Sequence, residues 1–287
     1  MSAILLKGKQ VAKAIYKQID VEIEELGENP KLVIVVIGED SASKFYINNL
    51  IKKGAKHKID VELLKFPADV EEVEILNLIA KLNDDKSVSG IMLQKPFPKH
   101  INDDKITSII SPDKDVDGFH PQNIGKLVLG KDGFVPCTPA AVLEVLKFYK
   151  IETSGKDIVI VGRSNIVGKP LANLLLRKDS TGNGTITICH SKTKDLAAYT
   201  KKADILIAAI GRANFIKENM IKKDCIIIDV GINLIEKNNV QKYVGDVDYQ
   251  GCFDTAKMIT PVPGGIGTIT TSLLLKNVVR AFKINSK

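Results

Sequence analysis

The chain has no tryptophan, and aromatic residues fill only 5% of its 287 positions. No aromatic platforms stand between its lysines and there is no arginine-rich run, so the surface of a nucleic-acid binder is missing. Cysteine is also scarce: Cys137, Cys189, Cys225 and Cys252 lie far apart. They form no C-x-x-C pair and no His/Cys spacing that would enclose zinc, and they read as reduced, mostly buried thiols with no metal among their duties. No stretch reaches about 18 uninterrupted apolar residues, and the opening MSAILLKGKQVAKAIYKQ lacks both a long apolar run and a small-residue cleavage site. A cytoplasmic protein without a membrane partner is expected. Internal repeats and low-complexity segments are absent as well.

What is present fits a globular α/β chain. With 44% hydrophobic and 26% charged residues, disordered and collagen-like classes are excluded, and the length suits one large domain or two ordinary ones. The formal charge of +7 comes from lysines scattered over the chain. It has two readings, a solvated lysine-rich surface or a field that draws a polyanionic small molecule into a cleft.

Short β-branched runs alternate with amphipathic stretches of helical length, the signature of βαβ units. In the first half the strands are Leu32 to Ile37, Val61 to Phe66 and Val88 to Leu93. Helices are expected at about Gly8 to Leu26, around Tyr46, and from Glu71 to Leu82. A turn-rich acidic segment follows, with Gln94-Lys-Pro-Phe-Pro and then Ser111-Pro-Asp-Lys-Asp-Val-Asp-Gly-Phe-His-Pro121. Loops after strand ends are where α/β proteins keep their chemistry. After a helix at Pro139 to Tyr149 come strands at Asp157 to Val161, Thr185 to Cys189, Ile205 to Ala209 and Cys225 to Val230. The fold class expected is two α/β domains, the second a doubly wound Rossmann-type dinucleotide-binding domain. Its boundaries are 1–138 for the first, 139–269 for the second, and a final helix, 270–287, packing back on the first.

The sharpest local signal is Asp157-Ile-Val-Ile-Val-Gly-Arg-Ser-Asn-Ile-Val-Gly-Lys-Pro-Leu-Ala172. A buried strand ends at Gly162, a tight turn follows, and a helix opens near Gly168 to Pro170, where proline suits the first turn. Backbone N–H groups and a positive helix end then face an anion. The glycine spacing is G-x-S-x-x-x-G, not the usual G-x-G-x-x-G. The next strand ends in Cys189-His-Ser-Lys-Thr193, without the acid that would meet the ribose hydroxyls of NAD. Ser191, Lys192 and Arg163 instead suit a 2′-phosphate, which favours NADP; an ordinary turn with a lysine in it is the plain alternative. Glycines in Asp229-Val-Gly-Ile-Asn233 and Thr260-Pro-Val-Pro-Gly-Gly-Ile-Gly-Thr268 allow close backbone approach to a ring or phosphate, or simply make turns.

Taken together, these segments resemble the bifunctional methylenetetrahydrofolate dehydrogenase/methenyltetrahydrofolate cyclohydrolase family. The likeness runs through Gly38-Glu-Asp-Ser-Ala-Ser with Tyr46, Gln94-Lys-Pro-Phe-Pro, Pro112-Asp-Lys-Asp-Val-Asp-Gly-Phe-His, Pro136-Cys-Thr-Pro, Gly162-Arg-Ser-Asn-Ile-Val-Gly-Lys-Pro, Cys189-His-Ser-Lys-Thr, Asp229-Val-Gly-Ile-Asn, Val244-Gly-Asp-Val and Pro261-Val-Pro-Gly-Gly-Ile-Gly. The resemblance implies an NADP-linked oxidoreductase and hydrolase of one-carbon metabolism, feeding purine biosynthesis. It would oxidise 5,10-methylenetetrahydrofolate to the methenyl form and hydrolyse that to 10-formyltetrahydrofolate. A homodimer is implied, with the site in the cleft between its two domains. By motif, Tyr46 becomes a wall against the folate, Gln94 a polar partner in the catalytic centre, and Asp117 a carboxylate for the pterin's donor edge. Asp117 lies in Asp115-Val-Asp-Gly, where an aspartate also serves as a turn cap. Pro263, Gly264 and Gly265 join the substrate site. Gly162, Arg163, Ser164, Ile166, Gly168, His190, Ser191, Lys192, Gly231 and Ile232 would hold the cofactor.

The pattern breaks at one telling position. In the family the tyrosine is followed four residues later by a lysine that serves cyclohydrolase proton transfer, and here that residue is Leu50. Leucine neither donates nor accepts a proton. Lys53 lies about 10 Å further along a helix than Tyr46, and neither Lys53 nor Lys95 is expected to replace the missing base. Dehydrogenase activity should survive and cyclohydrolase activity should be weak or absent. Thr268, where proline is usual, is expected to alter substrate fit; the longer loop Lys178 to Gly184 is expected to be superficial. Two rivals remain, a non-catalytic folate- or nucleotide-binding protein and an NADP-linked dehydrogenase of another small metabolite.

Overall fold

The computed structural model describes residues 2–38, 41–237 and 240–286, with the side chains at 41–43, 237 and 240 outside the description. Glu39 and Asp40 of the Gly38-Glu-Asp-Ser-Ala-Ser motif therefore lie outside the described residues. In chain order the first elements are β1 (Ile4–Leu5), α1 (Gly8–Leu26), β2 (Lys31–Ile37), α2 (Ser41–Lys56), β3 (Asp60–Phe66), α3 (Glu72–Asp84) and β4 (Gly90–Gln94). Then come α4 (Asp103–Ile109), α5 (Pro121–Val128), α6 (Cys137–Phe148), β5 (Asp157–Val161), α7 (Gly168–Leu176), β6 (Thr185–Cys189), α8 (Leu196–Thr200) and β7 (Ile205–Ala208). The last are β8 (Ile226–Asp229), β9 (Asn233–Lys237), β10 (Val240–Val244), α9 (Tyr249–Cys252), β11 (Met258–Ile259) and α10 (Gly267–Asn285).

The chain divides into two compact units, one of residues 14–135 with 271–287, the other of residues 1–13 with 136–270. In the first, a three-stranded parallel sheet has the order β3-β2-β4. Its central strand reads Lys31-Leu-Val-Ile-Val-Val-Ile37, and Leu32 to Val35 are wholly enclosed. A central parallel strand is covered on both faces, so a run of β-branched residues suits it better than alternation. Each fully buried aliphatic side chain there contributes about 1.5–3 kcal/mol of apolar transfer. In α1, Ile15, Ile19 and Ile23 recur every fourth residue and are buried, one helical stripe facing inward. The part of α10 in this unit is tied to its neighbours by Lys276 Nζ to Gln18 Oε1 (2.9 Å), Lys283 Nζ to Glu22 Oε2 (2.7 Å) and Asn277 Nδ2 to the Val116 carbonyl (2.8 Å).

The second unit is built on a six-stranded parallel sheet, ordered β1-β11-β8-β7-β5-β6. From β5 the chain steps out to β6 and returns to pair β7 on the other side. This reversal is the topological switch of doubly wound sheets, and the crevice it leaves at the strands' carboxyl ends is where such folds take ligands. The two-residue β1 pairs with β11 at the far edge, so residues 1–13, placed by the sequence with the first half, lie in this unit. Beside the sheet, β9 and β10 form an antiparallel ribbon that periodicity alone did not suggest. No helix among the described residues is long and apolar enough to cross a membrane.

Candidate functional site

In the first unit, the loop after α4 is laid against β4. Gln94 closes that strand, and the loop after α4 runs alongside it, with the Ile91 N–H donating to the Lys114 carbonyl (2.8 Å) and a parallel bridge from Ile91 to Asp115. A side chain at Gly90 would overlap Val116, so glycine lets the loop lie close to the strand. Lys114 pins the loop from behind through three carbonyls, Leu82, Asn83 and Asp85, at 2.7–2.9 Å. Burial lowers its pKa, which the charges of Asp85 and Asp84 partly offset.

The two aspartates of this loop divide the work. Asp115 accepts hydrogen bonds from Phe119 N (3.1 Å), His120 N (2.8 Å) and Asn123 Nδ2 (2.9 Å), and so caps the turn. That leaves Asp117 outside the capping role. Part of the Asp117 residue surface is open, yet its carboxyl group sits deep among protein atoms. Burial first, then the charge of Asp115, push its pKa up to about 7, while Lys95 opposes them. A buried carboxyl so shifted, in the loop beside β4, is a candidate functional group. Gln94 adds a second polar group: its Nε2 donates to the Lys95 carbonyl (2.7 Å), while its buried Oε1 has no partner among the described residues. An orphaned buried acceptor costs free energy unless a ligand N–H meets it.

On α2, Tyr46 is half-buried and Leu50 is wholly enclosed. Leu50 therefore behaves as a core residue. Lys53 has its ammonium 5.4 Å from the centre of the Tyr16 ring, directed to α1.

The second unit carries the nucleotide-binding features. Gly162 has φ +138°, and a side chain there would overlap the Ala209 carbonyl; one at Gly168 would overlap the Gly162 carbonyl. These glycines let α7 begin directly against the end of β5. The turn is held by Ser164, whose Oγ accepts from Val167 N at 3.1 Å. Arg163, Ser164, Asn165 and Ile166 are exposed around it. After β6, His190 N donates to Thr193 Oγ1 (2.9 Å) and Lys192 N to His190 Nδ1 (3.2 Å), which shapes the turn and leaves the residues Ser191 and Lys192 exposed. A glycine cradle with basic and hydroxyl side chains, and no carboxylate at the end of β6, fits a nucleotide with an added 2′-phosphate.

Two buried carboxylates organise the loops beside this cradle, and sequence reasoning assigned them no role. Asp246, wholly enclosed, accepts from Ile210 N (2.5 Å), Gly211 N (2.9 Å), Arg212 N (2.9 Å) and Asn233 Nδ2 (2.9 Å). Asp229 accepts from Gly231 N, Asp246 N and Val247 N at 2.9–3.0 Å. Burial pushes Asp229 up to about 7, with the charge of Asp246 adding to it and the N–H donors opposing it. The glycines of Asp229-Val-Gly-Ile-Asn and Val244-Gly-Asp-Val are explained here. A side chain at Gly231 would overlap the Asp246 carboxylate, and one at Gly245 the Asp229 carboxylate. Ile232 is exposed, with its side chain leaning on Gly267. Pro263 and Gly264 are exposed and Gly265 is buried; Gly265 leaves the start of α1 no room for a side chain at Gly8, whose N–H donates to the Gly264 carbonyl (2.8 Å).

The comparisons decide the family. A model described as the catalytic domain of tetrahydrofolate dehydrogenase/cyclohydrolase matches residues 6–117, and one described as its NAD(P)-binding domain matches residues 136–286. The chain belongs to the tetrahydrofolate dehydrogenase/cyclohydrolase family. It is 47% identical to the bifunctional protein FolD of Chloroherpeton thalassium over 98% of each chain. The solved FolD methylenetetrahydrofolate dehydrogenase/cyclohydrolase of Campylobacter jejuni matches with a TM-score of 0.93 and 41% identity over 99% of each. The Trypanosoma brucei FolD, solved with NADP and an inhibitor, matches at 0.93 and 32% over 100% of this chain and 99% of that one. The cradle at Gly162 lies within the part of the chain matched by the NAD(P)-binding domain model. Among the described residues, no group of three or more His, Cys, Asp and Glu side chains could hold a metal ion.

Proposed function

We propose that this protein catalyses the NADP-dependent oxidation of 5,10-methylenetetrahydrofolate to 5,10-methenyltetrahydrofolate, with little hydrolysis of the product. The observation that carries the reading is the pair of acceptors at the end of β4, the orphaned Gln94 Oε1 and the buried Asp117 carboxyl, in a chain of this family. Asp117 accepts the two N–H donors of the pterin edge, Tyr46 packs against the folate, and Gln94 accepts at the reacting centre. The resemblance also assigns Pro263, Gly264 and Gly265 to substrate binding.

NADP supplies the hydride acceptor when bound. Arg163, Ser191 and Lys192 receive its 2′-phosphate; Gly162, Ser164, Ile166, Gly168, His190, Gly231 and Ile232 shape the rest of its seat. The methylene carbon loses a hydride while its two flanking nitrogens share the resulting positive charge. No proton leaves, so alignment is the enzyme's main task. Hydrolysis differs: water adds to the methenyl carbon and must shed a proton, which the enclosed Leu50 cannot accept.

The coenzyme comparison tests the reading. With methylenetetrahydrofolate, NADP should give a kcat/KM at least about ten-fold above NAD, since a charge-assisted bond is worth roughly 1.5–3 kcal/mol. Lys192→Ala should narrow the gap. Ligand-induced stabilisation without reduced cofactor would identify a binding protein, and turnover of another metabolite only would identify a different dehydrogenase. A homodimer in the cytoplasm completes the proposal. Leu234 and Tyr243 support it, lying directly opposite each other in the β9–β10 ribbon and each about half exposed; light scattering should return twice the 31.4 kDa chain mass.

A further inference from the structure

Lys95 follows Gln94 at the end of β4, in the turn between that strand and α4. Its ammonium is 5.5 Å from the centre of the Phe119 ring and 5.8 Å from that of Phe97. Its side chain is 29% exposed and meets Asp103 Oδ1 at 2.5 Å. Two aromatic faces and one carboxylate thus hold a cation beside the loop that carries Asp117, two residues before Phe119. The Asp103 contact does not spend that charge. Asp103 is 54% exposed, where an ion pair is worth little, and the charge of Lys95 still acts on the buried Asp117 carboxyl, against burial and Asp115.

We propose that Lys95 is a positioning residue of the folate half, supplying the countercharge that holds the Asp117 carboxylate ready for a ligand's paired N–H donors.

The other charged groups of this region leave the task to Lys95. Asp115, on the same loop, acts on Asp117 with the opposite sign. The Lys114 ammonium is turned away onto the carbonyls of Leu82, Asn83 and Asp85. The His120 ring is engaged by the Ser108 carbonyl and Gln122 N. On α2 the buried hydrophobic side chains, Ile47 and Leu50, are uncharged, and Lys53 lies against Tyr16. Lys95 does not thereby become a base for hydrolysis. Its charge acts on Asp117, and its ammonium is already committed to Asp103 and the two rings.

The inference rests on the folate reading for its ligand but is testable apart from it. In the free protein, carbon NMR of aspartate-labelled samples would follow the Asp117 carboxyl, identified by its loss in Asp117→Asn. Lys95→Met should raise its titration midpoint by about one pH unit, and Lys95→Arg should restore it. With methylenetetrahydrofolate and NADP, the acid limb of kcat/KM should move by the same amount, with KM up roughly five-fold at pH 7 and kcat at pH 9 close to the parent's. An unmoved midpoint in Lys95→Met overturns the inference even if the parent turns over folate. A moved midpoint in a parent that forms no NADPH at any pH upholds the electrostatic role and sinks the folate reading instead.

Discussion

Asp117, the proposed pterin acceptor, shows what a buried carboxyl does to its own protein. Its pKa rises from the ordinary 3.8 to about 7, with burial as the main cause. The folded chain therefore binds that proton more tightly than the unfolded chain. The associated stability is intact below about pH 4 and is lost as pH climbs toward 7. Asp117→Asn removes the buried charge. At pH 8 the variant should melt about 2–4 °C higher than the parent while its kcat/KM for the folate falls at least about a hundred-fold; at pH 4 the two melting temperatures should converge. Thermal melts at both pH values check the sign.

Leu50 tests the opposite substitution. Because this position is fully enclosed, Leu50→Lys places an ammonium where a core side chain now packs, and should cost about 1–3 kcal/mol in urea unfolding. It should also raise the enzyme-dependent decay of methenyltetrahydrofolate. An unchanged decay would show that the absent lysine is not what limits hydrolysis.

Among the elements, the two short segments after β7 and before α9 govern the nucleotide unit. Asp246 gathers three consecutive backbone N–H groups from residues 210–212, and Gly231 exists as glycine because that carboxylate is packed against it. Asp246→Ala leaves those donors without their acceptor. It should cost about 2–4 kcal/mol in unfolding and raise the KM for NADP about ten-fold, with Asp246→Asn recovering part of both. Urea denaturation and NADP titration measure the two effects separately.

The strand–turn–helix at Gly162 was legible because its signal is local: a β-branched run, two glycines and a proline within a few residues dictate one geometry. The duties of Asp246 were not, since its three backbone donors from residues 210–212 lie 34–36 residues away in sequence and only the fold brings them together. The same reasoning covers β1 and β11, two residues each, too short to show a period. It also covers Asp115, whose capping bonds distinguish it from Asp117 two positions later only once the loop is folded. At Leu50, motif spacing exposed the missing lysine, but its complete enclosure required neighbours distant in sequence.

At the scale of the whole chain, composition excluded more than it identified. The +7 charge fits an enzyme of anionic folates and NADP, and its lysines divide into very different roles. Lys114 is buried as a loop anchor, Lys95 stands over two rings, and the Lys192 residue is exposed after β6. In the proposal, Gln94 and Asp117 of one unit are the acceptors for the pterin, and the Gly162 turn of the other is the seat of the dinucleotide. The reaction assigned to them requires hydride transfer and needs no base at position 50. One assay tests that claim most directly: mixing the protein with methylenetetrahydrofolate and NADP while recording NADPH and methenyltetrahydrofolate as separate signals. The account predicts that both rise together in equal amounts and that the methenyl signal then persists. NADPH that never forms, or methenyl product that disappears in proportion to added protein, would contradict it.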